Sequence, residues 1–555
     1  MKGHFLTAIL KVFVLVVLVN LLSDSSYLRF DLTEDSRFTL SKPSIEVAQK
    51  LENPIIIDIL LGGNLPPEFA KLKSETVQLL ESFTFHNKNI TYNLVNPLED
   101  DSQNQQTILD LQRIGLKPAN ITIEEGGKVS QELLFPWAMV NYDNQTVKVP
   151  LLKNKLGSTA EERINNSVQQ LEHAFADAFT KLSIKDKKRI AVIRGNGELE
   201  DIYIADYLTS VREYYNLGVI TLDSVQKDAE KVLDQLKNFD LALIAKPTQT
   251  FTDQEKYILD QFIVQGGKSI WLIDQVTMEL DSIFSNQGSA LAIPKELNLN
   301  DFFFKYGLRI NPVLVNDLYF TQIVLASGEG NDSRYNPVPW YYHPMVFSKN
   351  DHPINANIEV VRYQFANAME LLENDYQKKI LLQSSPLSKI EGTPKQIGLD
   401  ILKNPPDRST YTDGNQPLAV LIEGKFRSVY KNRVKPLRLK NSREEGPENK
   451  MIVIADGDLI KNQLQQGKPL ELGYDKWTNS SYGNKEFLVN CTNYLLDDTG
   501  LISIRNKKVS IPLLDKEKIA QQKTKWQLLN VGLPVILTLF LGIMFNYYRK
   551  RKYSG

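Results

Sequence analysis

The feature that most constrains this sequence is an uncharged run near its end, Trp526 to Tyr548, reading WQLLNVGLPVILTLFLGIMFNYY. At ~1.5 Å of helix per residue it is long enough to cross a hydrocarbon layer of about 30 Å. Aromatic residues open and close it, as at membrane interfaces, and Pro534 and Gly542 are tolerated in membrane helices. Arg549-Lys550-Arg551-Lys552 follows directly, so the positive-inside rule puts this end in the cytoplasm. The alternative is a buried core helix. A second apolar run, residues 5–22, carries one charge, Lys11, and reads as an uncleaved signal anchor. A cleaved signal peptide is its rival, but only Ser23-x-Ser25 imitates a cleavage site. Lys2 and Lys11 place that end in the cytoplasm too, so the body between the helices is expected on the far side, periplasmic in a two-membrane bacterium.

Composition narrows the function classes. The 555 residues allow roughly three to four domains. With 65 Lys+Arg against 66 Asp+Glu there is no cationic excess to neutralise phosphates, which argues against a nucleic-acid partner. The single cysteine, Cys491, excludes an intramolecular disulfide, a CxxC redox pair and a four-cysteine zinc site. No cofactor or metal is expected.

Between the two runs the expected class is α/β. Residues 27–53 form a juxtamembrane segment, an extended stretch and then a helix with Ser41 as N-cap and Pro43 in its first turn. Residues 54–155 read strand, helix (67–85), strand (90–95), helix (106–114), then strand-like runs at 120–124, 131–141 and 146–149. That is a small α/β unit of thioredoxin-like order without a CxxC. Residues 156–184 are an amphipathic helix with Ile164, Val168, Leu171, Phe175, Phe179 and Leu182 on one face and a Ser158/Glu161 capping box, packed between two domains. A coiled coil is its alternative. In residues 185–510 strands at 190–193, 219–222, 241–245 and 269–273 alternate with helices at 202–214, 229–236 and 253–265, predicting a doubly wound parallel sheet. An irregular insert at 275–450, with short strand-like runs such as 418–422 and a polar loop at 431–450, precedes a last core strand at 451–455 and a helix at 485–496. Residues 511–525 link to the final membrane helix, 526–548.

Doubly wound sheets bind ligands beyond the carboxyl ends of their strands. Gly195, Gly197 and Glu198 follow the first strand, where the glycines could let a backbone approach a ligand and Glu198 accept from a hydroxyl or amide. A tight turn needing glycine dihedrals is the alternative. Asp456 and Asp458 end another strand and could bind a divalent cation or sugar hydroxyls, or form a polar turn. Gly266-Gly267-Lys268-Ser269 is not a phosphate loop, because position 262 is Phe and the glycines close a helix instead of opening one. Cys491 lies on the apolar face of its helix and reads as core, and no G-x-S-x-G elbow is present. His343 and His352, each followed by proline, read as turns. Trp340, Tyr341 and Tyr342 could stack on a sugar, fit a partner or be structural.

Several stretches resemble the gliding-motility-associated ABC transporter auxiliary components of Bacteroidetes, the GldG family. They are residues 29–41, Gly195-Asn-Gly-Glu198, Phe251-Thr-Asp-Gln-Glu255 with Gly266-Gly267, Gly424-Lys-Phe-Arg-Ser428, residues 482–490 and residues 494–503. The resemblance implies a class I glutamine amidotransferase-like domain lacking the nucleophilic cysteine, and a non-enzymatic subunit anchored in the inner membrane. Its partners would be a separate ABC ATPase and a multi-span permease in a transport machinery tied to gliding, with a periplasmic ligand or an envelope protein as the body's target. The alternatives are a scaffold for envelope proteins, a carbohydrate- or small-molecule-binding protein, or a hydrolase.

Overall fold

The computed structural model describes residues 39–99, 104–125, 128–153, 158–327, 334–348, 350–497, 500, 502, 504 and 516–553, together with Lys11, Val14 and Val17. Those last three are helical; the rest of the expected anchor at 5–22 and the juxtamembrane stretch at 27–38 lie outside the described residues. The chain forms two compact units, residues 1–508 and 509–555.

Helix α1 (Lys42–Gln49) starts at Ser41 with proline in its first turn, as expected. The Ser41 hydroxyl, however, bonds Ser44 Oγ, while the Ser41 amide donates to the buried Glu172 Oε1 at 2.7 Å. A carboxylate at a helix N-terminus is favoured by the orphan amides and the helix dipole. Next come β1 (Ile55–Ile59), α2 (Pro67–His86), β2 (Ile90–Leu94), α3 (Asn104–Arg113), β3 (Ala119–Glu125), β4 (Lys128–Leu134), β5 (Trp137–Tyr142) and β6 (Gln145–Pro150). One sheet has the order β2-β1-β5-β6, parallel between β1 and β2 and antiparallel elsewhere, and β3 pairs with β4 as a separate hairpin. The single strand expected at 131–141 is therefore two: Pro136 has no N–H for a ladder, and the chain changes sheet there.

Helix α4 (Ala160–Ser183) buries all six predicted apolar positions. Its capping box is Thr159 with Glu162, one residue later than expected: Thr159 Oγ1 accepts from the Glu162 amide and Glu162 Oε2 from the Thr159 amide. One side packs on α1 and α2, where Phe179 meets Phe83 edge-on at 5.1 Å. Further along, Asp177 accepts from Tyr214 Oη at 2.7 Å and Lys181 pairs with Glu213 at 2.7 Å, joining α4 to the large domain.

The large domain contains β7 (Arg189–Arg194), α5 (Ala205–Arg212), β8 (Asn216–Thr221), α6 (Val225–Leu236), β9 (Leu241–Ala245), α7 (Asp253–Val264) and β10 (Lys268–Leu272). Helix α8 (Asn300–Lys305) follows, then β11 (Val313–Asp317), β12 (Phe320–Ser327), β13 (Arg334–Val346), β14 (Gln377–Gln383), β15 (Ser388–Gly392), β16 (Pro417–Arg427), β17 (Glu445–Ile454) and α9 (Asn484–Leu496). The main sheet runs β14-β16-β17-β10-β9-β7-β8, with β8, β7, β9, β10 and β17 mutually parallel, β16 antiparallel to β17, and β14 antiparallel to β16 at the edge. In chain order the parallel strands are arranged 2-1-3-4-5, a doubly wound order whose switch point lies between β7 and β9. Every residue of β9 is buried. Alternate residues serve opposite faces: Leu241, Leu243 and Ala245 join α5 and α9 in one core, Ala242 and Ile244 join α6 and α7 in the other. Each Leu or Ile so buried contributes about 1.5–3 kcal/mol relative to exposure.

The strand-like run expected at 418–422 is part of β16, and the insert at 275–450 is more ordered than expected because β14 and β16 extend the main sheet. The polar loop expected at 431–450 ends in strand from Glu445 onward. Its polar residues pair with the exposed end of β16, so no apolar run marks it. His343, expected in a turn, lies fully buried inside β13, and Pro344 is accommodated where the β12–β13 register shifts. The strands are locked to α7 by Asp260, whose carboxylate accepts from Ser428 Oγ (2.6 Å), the Val429 amide (2.8 Å), Gln261 Nε2 (3.1 Å) and Tyr306 Oη (3.2 Å).

The second unit is one long helix, α10 (Lys516–Tyr553). Within it Gln522–Lys552 is apolar and long enough to cross a bilayer, with mean hydropathy 2.3 in its most apolar stretch.

Replacing Asp260 with Ala strands several buried donors at once, so Asp260→Ala is expected to cost about 3 kcal/mol or more in urea unfolding, and Asp260→Asn less.

Candidate functional site

The carboxyl ends of β9, β10 and β17 converge on a buried charge cluster. Lys246 follows the wholly apolar β9, is 4% exposed and adopts φ 54°. Its ammonium lies 2.5 Å from Asp458 Oδ1 and 3.5 Å from Asp274 Oδ2, and also pairs with Glu279. Asp274 accepts from the Gly457 amide at 2.5 Å, and Asp456 accepts from the amides of Gln364 (2.6 Å) and Asp458 (2.7 Å). Lys461 bridges Glu279 and Asp458 at the rim.

Electrostatics separates the carboxylates. Burial, then the neighbouring Asp458 and Asp274 charges, pushes Asp456 well above the ordinary carboxylate range. Burial also raises Asp274, against the pull of Lys246. At Asp458 burial acts in the same sense, but Lys246 and Lys461 outweigh it and hold the group low. The Lys246 ammonium thus stands where the sequence reading allowed a divalent cation, and supplies the compensating charge itself. Among the described residues no group of three or more His, Cys, Asp or Glu is arranged to hold a metal.

Gly195, Gly197 and Glu198 lie elsewhere, at the β7–β9 switch point. Both glycines need left-handed backbone, with φ 121° and 70°, and a Cβ on Gly197 would collide with Thr248 Oγ1. The turn is sewn to the end of β9: the Thr248 and Gln249 amides both donate to Asn196 O at 2.9 Å. Glu198 accepts from the Asn196 amide through Oε2, whereas its buried Oε1 has no partner among the described residues. Burial raises its pKa. Its charged neighbours are Arg194 and Asp223, so the structure does not bring Glu198 together with Asp456 and Asp458.

A cleft of about 450 Å³ opens beside the Lys246 cluster. Of the five residues singled out from sequence, Asp458 alone lines it. Tyr335, Phe284 and Trp477 give it apolar surface, and Trp477 is 59% exposed. Arg362 lines it as well, paired with Asp475 at 3.5 Å and in contact with His343 Nδ1 at 3.3 Å. Burial and the Arg362 charge hold His343 neutral, well below its ordinary pKa. Trp340 and Tyr342 are core residues, with the Tyr342 hydroxyl on Glu391. Cys491 is fully buried, and burial pushes its thiol well up.

Sequence reasoning passed over Lys246 and Asp274. Each lies within two residues of the end of a buried strand, the position at which a doubly wound sheet presents its functional groups, so strand ends alone could have found them.

Two known families match. One, described as an ABC-type uncharacterized transport system and comprising its auxiliary proteins, matches residues 187–491, from just before β7 into α9. That is more than half of the chain. The chain belongs to this auxiliary family. A domain of unknown function (DUF7088) matches residues 34–141, within the small N-terminal domain of this auxiliary protein. No curated protein matches it. Among solved structures it is similar to the mmIFT52 N-terminal domain, at 13% identity over 56% of this chain and 98% of that one, with a TM-score of 0.32. It is also similar to the exo-beta-1,4-mannosidase Op5Man5 from Opitutaceae bacterium strain TAV5, at 10% identity over 83% of this chain and 55% of that one, with a TM-score of 0.22. Likenesses of this size carry no argument about fold or activity.

Lys246→Met leaves buried Asp458 and Asp274 with only the more distant Lys461 (3.5 Å) and Lys295 (3.9 Å) as counter-ions and is expected to cost about 3 kcal/mol in urea unfolding. The pH dependence carries a second expectation. His343 stays neutral in the fold, and burial lowers His352 to about 4, while unfolded histidines titrate near 6.5. The unfolded state then binds more protons below 6.5, so these groups remove stability as pH falls from there toward about 4. His343→Gln should flatten the fall of melting temperature with acidification relative to the parent protein; parallel curves would contradict it.

Proposed function

We propose that this auxiliary protein is a non-enzymatic, membrane-anchored subunit of an ABC transporter whose large domain offers its cleft to a ligand or envelope partner. The observation that carries this reading is the pairing of the auxiliary-family match with the apolar stretch Gln522–Lys552. One or two membrane helices cannot enclose a translocation path, and the sequence has no phosphate-binding loop. Transport would need a separate ATPase and a separate multi-span permease. The resemblance to the GldG family supports a place in a gliding-associated machinery, and the Arg549–Lys552 cluster supports a cytoplasmic C-terminus with a periplasmic body.

Strand order supports the finer fold reading. The 2-1-3-4-5 arrangement fits an amidotransferase-like scaffold, and the β2-β1-β5-β6 sheet fits a thioredoxin-like unit. The residues give no support to the chemistry of such folds: Cys491 sits inside a helix core, the sequence has no CxxC, and Asp274, Asp456 and Asp458 are committed to Lys246 and to backbone amides. These commitments favour a binding or scaffolding subunit over a hydrolase. Motion of the permease would reach the body through residues 27–41 and 505–525.

Affinity capture of the full-length protein in mild detergent is expected to recover an ATPase and a permease. Deleting residues 526–548 should release both; undiminished co-purification would overturn docking through this helix.

A further inference from the structure

Part of the cleft is lined by a strand at the edge of its sheet. Among the described residues, strand β12 is the last strand of its sheet and pairs only with β13. The register sets Gln322 opposite Pro339, Val324 opposite Pro337 and Ala326 opposite Tyr335. Proline has no N–H to donate, so these are the pairs that exchange no hydrogen bonds; Thr321, Ile323 and Leu325 make the ladder with Trp340, Val338 and Asn336. The main-chain N–H and C=O groups of Gln322, Val324 and Ala326 therefore point away from β13. All three residues line the cleft, and no backbone partner for them occurs among the described residues.

The two edges of this hairpin differ in kind. On β13 the outward positions are Tyr335, Pro337 and Pro339, and the two prolines cannot donate and so blunt most of that edge. On β12 none of the outward residues Gln322, Val324 and Ala326 is a proline, so each keeps its N–H. The outward groups recur every ~6.8 Å over about 14 Å, the repeat of an extended main chain. Of the cleft's charges, Lys461 pairs with Glu279 and Asp458 and Arg362 with Asp475, while Asp281 and Lys476 add one charge of each sign, so neither sign dominates strongly enough to select an ionic ligand. Phe284, Tyr335 and Trp477 add apolar contact for alternate side chains of a strand laid beside β12.

The geometry points to an extended polypeptide segment as the occupant of this cleft, bound by adding a strand to the free edge of β12. Its main chain would exchange hydrogen bonds with Gln322, Val324 and Ala326, while its side chains meet the aromatic wall. This goes beyond the transporter assignment and is tested apart from it, because peptide binding and permease co-purification are separate readouts.

The probe is a phage-displayed library of random linear peptides panned against the detergent-solubilised full-length protein, with enriched peptides then measured by fluorescence anisotropy. Val324→Pro removes one outward N–H without touching a hairpin hydrogen bond and should weaken binding about tenfold or more. Gln322→Ala, which keeps the main chain, should change it less than about twofold. N-methylating the enriched peptide should abolish binding at alternate residues and spare those between, a readout that leaves the protein unaltered should Val324→Pro fail to fold. Failure to enrich any peptide would overturn the proposal. So would binding indifferent to N-methylation, or capture of oligosaccharides alone that persists in the Val324→Pro protein.

Discussion

The large domain depends on one constraint: the central strands β9 and β10 are shielded from water on both faces. Leu241–Ala245 is apolar throughout, and Ile270, Trp271 and Leu272 are fully buried. A sheet with such strands must be covered twice, and the chain does so with α5 and α9 on one side and α6 and α7 on the other. The α8 aromatics Phe302 and Phe303 close over Trp271 at 5.2 and 5.3 Å, so even the insert contributes to the cover.

With both faces sealed, polar chemistry is confined to the strand ends. Three of those ends supply Lys246, Asp274 and the Asp456–Asp458 turn, close enough that a single ammonium balances several carboxylates. Such a cluster is costly to desolvate, and its value lies in pinning the ends of β9, β10 and β17 to one another. The insert then builds outward from this fixed floor: the β12–β13 hairpin and the 461–477 segment wall a cleft whose base is Asp458 and Lys461. Binding surface and rigid support thus come from different parts of the chain.

Much of the architecture was legible because it is local. The 3.6-residue rhythm of α4 marks its buried face without reference to anything distant, and the runs at 190–193, 241–245 and 269–273 are apolar because both faces of those strands are covered. Misreadings arose where the signal is not local. The first part of β17, Glu445 to Lys450, is polar because it pairs at the exposed end of the sheet, so it reads as loop. Residues 131–141 look like one strand until two different partners separate them at Pro136. The site was less legible than the fold. Gly195-Asn-Gly-Glu198 stands out by composition, but Gly195 and Gly197 serve a left-handed turn, while Lys246 and Asp274 carry no motif at all.

By itself the sequence determined the features set by short-range chemistry: an uncharged C-terminal helix followed by four basic residues, the alternation of strands and helices in the large domain, and a lone core cysteine. Only the tertiary structure decided that Lys246 neutralises Asp458, that two strands of the insert join the main sheet, and that the edge strand β12 lines a cleft. These depend on which distant segments become neighbours. A polar side chain or a backbone N–H has the same local sequence whether or not its partner arrives.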